Sequence, residues 1–314
     1  MPRPLALLMA AVLAIFYLDA FVVGASGPEV VAFILLGVLT VVGFRQHADH
    51  GPHRWPAVLP IVLGALGATA VQALSRTELM AMVPATALVG CLGALLERRS
   101  GAMSLAAPLY CGAFAGMTSK LVLHHPGWLV LAGALAGAVL TLLSNSWGGI
   151  GGKLGTTAVL SVFGICGLAW TFGALGAGAP LHAYSAAERL GVVIAAVASP
   201  LLTHWLSERC ALGPIQGSAL PSLLVGLLLP LLAVPLGITP QPLAVVWLGS
   251  SFVGMTAHER LGRHPQAMLI AMGLLFALFS LSFEPRLAGI GGDLGATAAV
   301  SVFTVLGARR LLPS

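Results

Sequence analysis

The stretch Gly149-Ile150-Gly151-Gly152-Lys153-Leu154-Gly155-Thr156-Thr157-Ala158, closing on Ser161-Val162-Phe163, returns later in the chain. Its second copy is Gly289-Ile290-Gly291-Gly292-Asp293-Leu294-Gly295-Ala296-Thr297-Ala298, closing on Ser301-Val302-Phe303. Upstream, Phe114-Ala115-Gly116-Met117-Thr118 matches Phe252-Val253-Gly254-Met255-Thr256, and between these landmarks His125-Pro126 matches His264-Pro265. The three pairs lie 138 to 140 residues apart. A common spacing over three landmarks is the mark of a duplicated unit of about 120 residues, not of one short motif met twice.

What surrounds the repeat is apolar. Of the 314 residues, 58% are hydrophobic and 8% charged, against about 25% charged in a soluble domain. A soluble globule and a disordered chain are both excluded, because the surface of the first and the solvation of the second need charge that is absent. Mean hydropathy of +0.98 and 39 glycines without a collagen period fit helices packed closely in lipid. A transmembrane β-barrel would alternate apolar and polar residues, and these runs are unbroken. The net charge of +5 is spread too thinly to make a nucleic-acid surface. Cys91, Cys111, Cys166 and Cys210 have no C-x-x-C spacing and read as small apolar packing residues.

Runs long enough to cross a core of about 30 Å fall at 4–24, 29–44, 56–75, 79–97, 102–119, 127–144, 154–176, 189–207, 219–238, 241–257, 266–283 and 294–309. With a cytoplasmic N-terminus and strict alternation, the inner side receives Arg3, Arg45, Arg54, Arg98, Arg99, Lys153, Arg209, Arg260, Arg263, Arg309 and Arg310. The outer side receives only Arg76, Lys120, Arg189 and Arg286. This is the positive-inside bias. Met1-Pro-Arg3 ahead of an apolar run, with Gly24-Ala25-Ser26 after it, has the outline of a signal peptide. Tyr17, Asp19 and Phe21-Val22-Val23 carry the run past a normal signal core, so it is read as a retained span.

The expected fold is therefore an all-α polytopic membrane protein of about 12 transmembrane helices. Residues 1–50 form an N-terminal hairpin and cytoplasmic loop, 51–180 a first repeat of five spans, and 181–314 a second. Five is odd, so the second repeat is inverted: Met117 ends its span at the outer face and Met255 at the inner. Transporters use this architecture because a pseudo-two-fold axis in the membrane plane makes inward and outward halves alike.

The glycine loop is neither a P-loop, since Trp147 occupies the first glycine position and Leu154 follows the lysine, nor a dinucleotide fingerprint, since Leu154 takes the last glycine position. It offers flexible backbone at a helix start, where free amides and the helix dipole favour negative charge. The plain alternative is a hinge that lets spans pack closely. Lys153 in one copy is Asp293 in the other, so the two-fold axis brings opposite charges to related places. They suit an anionic or dipolar solute and a coupling cation, or simply a structural ion pair.

The candidate binding residues are accordingly Gly149, Gly151, Gly152, Lys153, Gly289, Gly291, Gly292 and Asp293, with Thr118 and Thr256 as hydroxyl donors and acceptors and Phe114 and Phe252 as rings over a path. Hydroxyls in membrane helices commonly bond their own backbone. Ser119, Ser250 and Ser251 lie nearby, and Lys120 and His258 occupy equivalent ends. Asp19 is charged inside a span but reads as solvated at the headgroups with Glu29. His47, Asp49, His50 and His53 share a Gly/Pro-rich loop that reads as a solvated turn before it reads as a metal site.

No H-E-x-x-H or G-x-S-x-G element marks an enzyme, and no cofactor is expected. The function expected is a channel or secondary transporter for a small polar or anionic solute, in the inner membrane with both termini cytoplasmic. The alternatives are a proton- or sodium-coupled exchanger using Asp293 and Asp19, or a non-transporting subunit of a larger complex. Partners are the bilayer, the solute or ion and, if it self-associates, a second copy of the chain, with no nucleic acid.

Overall fold

A computed structural model describes residues 27–47, 58–101, 104–176, 182, 184–233, 235, 237–287 and 289–311, with side chains at 27–33, 45–47 and 283–287 left aside. The first expected span, Asp19, Asp49, His50 and His53 lie outside the described residues, as does the side chain of His47. The helices in chain order are α1 Gly27–His47, α2 Val58–Arg76, α3 Met82–Ser100, α4 Ala106–Gly116, α5 Pro126–Leu142, α6 Lys153–Thr171, α7 Ala186–Glu208, α8 Pro214–Ala233, α9 Pro240–Gly254, α10 His258–Leu261, α11 Pro265–Leu287 and α12 Asp293–Leu311. The described residues contain no strand, only an isolated antiparallel bridge between Leu123 and Leu175.

Local chemistry sets many of the boundaries. Pro126 and Pro240 open their helices at positions where a missing amide costs nothing. Ser185 and Glu188 form a reciprocal capping box at the start of α7. Gly101 ends α3 in the left-handed conformation with φ 63°. Within the apolar helices, Thr86, Thr141, Thr157, Ser161, Ser222, Thr297, Ser301 and Thr304 each donate to the carbonyl four residues back. Their hydroxyls are thereby satisfied without water.

Among the described residues, six helices are long and apolar enough to cross a membrane: Val58–Arg76, Lys153–Thr171, Ala186–Glu208, Pro214–Ala233, Pro265–Ser282 and Asp293–Leu311. The protein is thus an apolar, all-helical protein of the kind that a bilayer solvates. Among the described residues this is six helices against the twelve spans expected: 127–144 is the 17-residue α5, and two further expected spans come out much shorter. The run 102–119 is helical only over the 11 residues of α4, and 241–257 over the 15 of α9. At 1.5 Å per residue these reach about 16 Å and 22 Å, short of a core of about 30 Å. Both are buried along most of their length.

The packing of the two halves matches helix for helix. In the first, α2 lies against α4 and α5 and α6 lies against α4; in the second, α7 lies against α9 and α11 and α12 lies against α9. Close approach needs glycine: a Cβ on Gly112 would run into the backbone of Gly64, and one on Gly273 into the carbonyl of Ala196. The halves meet where α3 crosses α8 and α6 crosses α12. In the second crossing Gly152 abuts Ala299, Gly155 abuts Gly295, and Gly292 abuts Val159. Positions rise along one helix as they fall along the other, so α6 and α12 run antiparallel. Gly226 against Pro84 and Gly90 against Ala219 give α3 and α8 the same relation.

Helix α1 stands outside this pairing. It docks on α12, with Thr40 Oγ1 2.6 Å from Thr304 Oγ1 and Gly43 and Gly307 pressed on each other's preceding turns. Here the numbers rise together, so α1 and α12 are parallel.

Candidate functional site

The end of α4 and the start of α12 are fastened together. Thr118 Oγ1 donates to Ala115 O at 2.8 Å and accepts from the amide of Gly291 at 3.0 Å. The amide of Ser119 donates to Gly289 O at 2.7 Å. The other half repeats the arrangement with partners exchanged. Thr256 Oγ1 accepts from the amide of Gly151 at 3.2 Å, and the amide of Ala257 donates to Gly149 O at 2.9 Å. Each short helix therefore closes the glycine loop of the opposite half.

The reason for glycine is visible at four positions. A side chain on Gly151 would strike the carbonyl of Phe252, and one on Gly291 the carbonyl of Phe114. Gly152 and Gly292, with φ of 84° and 93°, combine a left-handed backbone with contact on the opposite helix. Beside these loops, the rings of Phe114 and Phe252 pack against each other at 58° with centres 4.7 Å apart. Both rings are buried.

Ten of the twelve sequence candidates thus make contacts across the joint between the halves, but not all in the expected way. Two of the amides expected to meet solute, those of Gly151 and Gly291, are bonded to threonine hydroxyls. Lys153 and Asp293 begin α6 and α12 and are half-buried. The hydrogen bonds described for them stay in their own halves: Lys153 Nζ donates to Ser144 O at 3.1 Å, and Asp293 Oδ1 accepts from the amide of Leu294 at 2.7 Å. An aspartate suits a helix start, whereas a lysine opposes the dipole. Reaching back to a carbonyl just beyond the end of α5 relieves that mismatch.

Several residues at the joint are not prominent in the sequence. Gln72 donates to Gly116 O and, at 3.4 Å, to Thr118 O, capping the end of α4. Arg76 in turn donates to Gln72 Oε1 at 2.7 Å. Trp147 is buried with φ 57°, a conformation uncommon outside glycine. Its indole sits between Phe44 at 5.6 Å and Phe303 at 4.9 Å. At the end of α9, His204 and His258 stack at 5.8 Å. A glutamine in an apolar run is the one signal that could have flagged Gln72; the ring cluster joins residues too far apart in sequence to be foreseen.

The cysteines are all free, Cys111 and Cys166 buried, Cys91 partly so and Cys210 exposed. No group of three metal-binding side chains occurs among the described residues. Comparison with known proteins gives no match: no protein family, no curated relative and no solved structure aligns with this chain. The site and fold together define a membrane-embedded helical protein whose two halves are locked by exchanged loop contacts.

Proposed function

We propose that the chain is a channel or secondary transporter of the inner membrane that passes a small polar or anionic solute between two inverted repeats of five spans. In this reading residues 51–180 and 181–314 are the repeats, residues 1–50 are the N-terminal hairpin, and both termini are cytoplasmic. It is not an enzyme.

One observation carries the reading: Thr118 closes the loop at Gly291 while Thr256 closes the loop at Gly151. Such an exchange, with α6 antiparallel to α12, is what a two-fold axis lying in the membrane plane produces. An axis of that kind gives a central site equivalent access from either side. Helices that stop short of a full crossing leave irregular backbone at depth, which is stable only when buried in protein or lining a cavity. The solute path runs beside the two loops and past Phe114 and Phe252, with Lys153 and Asp293 adding charge at related positions.

Purified protein in sealed vesicles is expected to speed the flux of at least one small polar or anionic probe over protein-free vesicles. Phe252→Trp, which adds bulk against Phe114, is expected to remove most of that flux in a protein that still elutes as a folded species. Folded wild-type protein that passes no probe contradicts the proposal.

A further inference from the structure

Beside the two phenyl rings, the joint between the halves departs from its own symmetry. In the register set by Phe114 and Phe252, Tyr110 stands opposite Leu248, and Ser251 opposite Ala113. These two departures meet at Ser218 of α8: Tyr110 Oη lies 3.5 Å from Ser218 Oγ, which lies 2.6 Å from Ser251 Oγ. All three residues are fully buried. The tyrosine ring is 4.2 Å from Phe114 and 6.3 Å from Phe252, centre to centre. Packing alone needs no hydroxyl here, since leucine and alanine fill the related positions.

The protons can be followed. Ser251 donates to Leu248 O at 2.5 Å, so in the 2.6 Å contact Ser218 is the donor and Ser251 the acceptor. Tyr110 is then left to donate to Ser218 over 3.5 Å, at the outer limit for such a bond. Its oxygen keeps open acceptor positions. This is a buried hydroxyl that donates only one long hydrogen bond and has unused lone pairs, beside the two rings on the path.

The hydrogen bonds described for these three hydroxyls include no charged side chain. Among the described residues, Glu188 is the one acidic or basic residue that is buried, and it is held at the start of α7 by the amides of Ser185 and Thr239. An ion stripped of water beside Tyr110, Ser218 and Ser251 would meet hydroxyls but no opposite charge, and the cost of that is large. Phe114 and Phe252 are buried and packed at 58° to each other, with Tyr110 against both, so little ring face is left for a cation.

We infer that Tyr110, Ser218 and Ser251 form the solute-selecting site and that the solute is neutral, with both hydrogen-bond donors and acceptors, in the class of small amides and polyols. The inference rests on the transport reading above. Tyr110 offers its proton to a carbonyl or hydroxyl oxygen and its lone pairs to an N–H or O–H of the solute, while the phenyl rings exclude hydrated ions.

The test is flux into vesicles by stopped-flow light scattering and tracer uptake, using urea, acetamide and glycerol against sodium, chloride and tetramethylammonium. The neutral probes are expected to cross faster than in protein-free vesicles and the ions to stay at background. Tyr110→Phe and Ser251→Ala are each expected to slow amide flux about fivefold to tenfold, with Tyr184→Phe as an unaltered control. Ion flux at or above the neutral rate overturns the neutral-solute inference and leaves transport standing. Neutral flux that neither variant slows removes these residues from the site. No flux of any probe overturns the transport reading itself.

Discussion

Gly295→Leu, and equally Gly155→Leu, will deny the protein its folded state. A Cβ on Gly155 falls 2.5 Å from the Cα of Gly295, and the reverse contact is tighter still. The atoms in the way are backbone, so no rotamer change relieves the overlap. Overpacking a core costs about 1–3 kcal/mol when side chains can shift. With two helix backbones in contact the cost exceeds the top of that range, against a total stability of about 5–15 kcal/mol. The measurement is the folded peak in size-exclusion chromatography after heating in detergent. Gly167→Leu on the same helix is the control, because nothing lies within 4 Å of a Cβ there. A Gly295→Leu protein as stable as Gly167→Leu would show that the helices do not cross at this point.

The second large effect concerns the exchanged hydroxyls. Thr118→Val and Thr256→Val keep the shape of each side chain but leave the amides of Gly291 and Gly151 buried without the acceptors they have now. An unsatisfied buried donor costs about 1–3 kcal/mol. The two contacts share no partner, so the double variant should lose about the sum. Thr118→Ser and Thr256→Ser retain the hydroxyl and should restore most of the stability. Melting temperatures of these five variants and the wild-type protein check this. Equal loss in the serine and valine variants would assign the effect to the methyl group instead.

The joint was legible in the sequence because duplication wrote it twice. Residues such as Gly151 and Gly291, or Thr118 and Thr256, stand out once the two copies are aligned, and every one of them lies where the halves meet. The ends of the short helices were not legible. Hydropathy runs on through Gly116-Met117-Thr118 without a break, whereas the backbone leaves the helix at Met117. The cause is tertiary: Gly116 is wedged on Ala68, Gln72 caps its carbonyl, and Thr118 is claimed by Gly291.

The same holds for the docking of α1. Thr40 and Gly43 meet Thr304 and Gly307 across more than 260 residues of chain, and hydrophobic periodicity carries no information about that pairing. Nor could it reveal the roles of Tyr110, Ser218 and Ser251. Their register against Leu248 and Ala113 was readable from the alignment, but the meaning of the mismatch depends on Ser218, which a different helix supplies.

The orientation of the two halves can be read directly by labelling. Lys120 and His258 follow the paired Gly-Met-Thr segments at equivalent positions, and both are exposed. In a chain whose four native cysteines are replaced by alanine, Lys120→Cys and His258→Cys are each exposed to a membrane-impermeant maleimide on intact cells and again after permeabilisation. Inverted repeats require Lys120→Cys to react from outside and His258→Cys only once the membrane is opened. Reaction of both from one side would contradict the inversion.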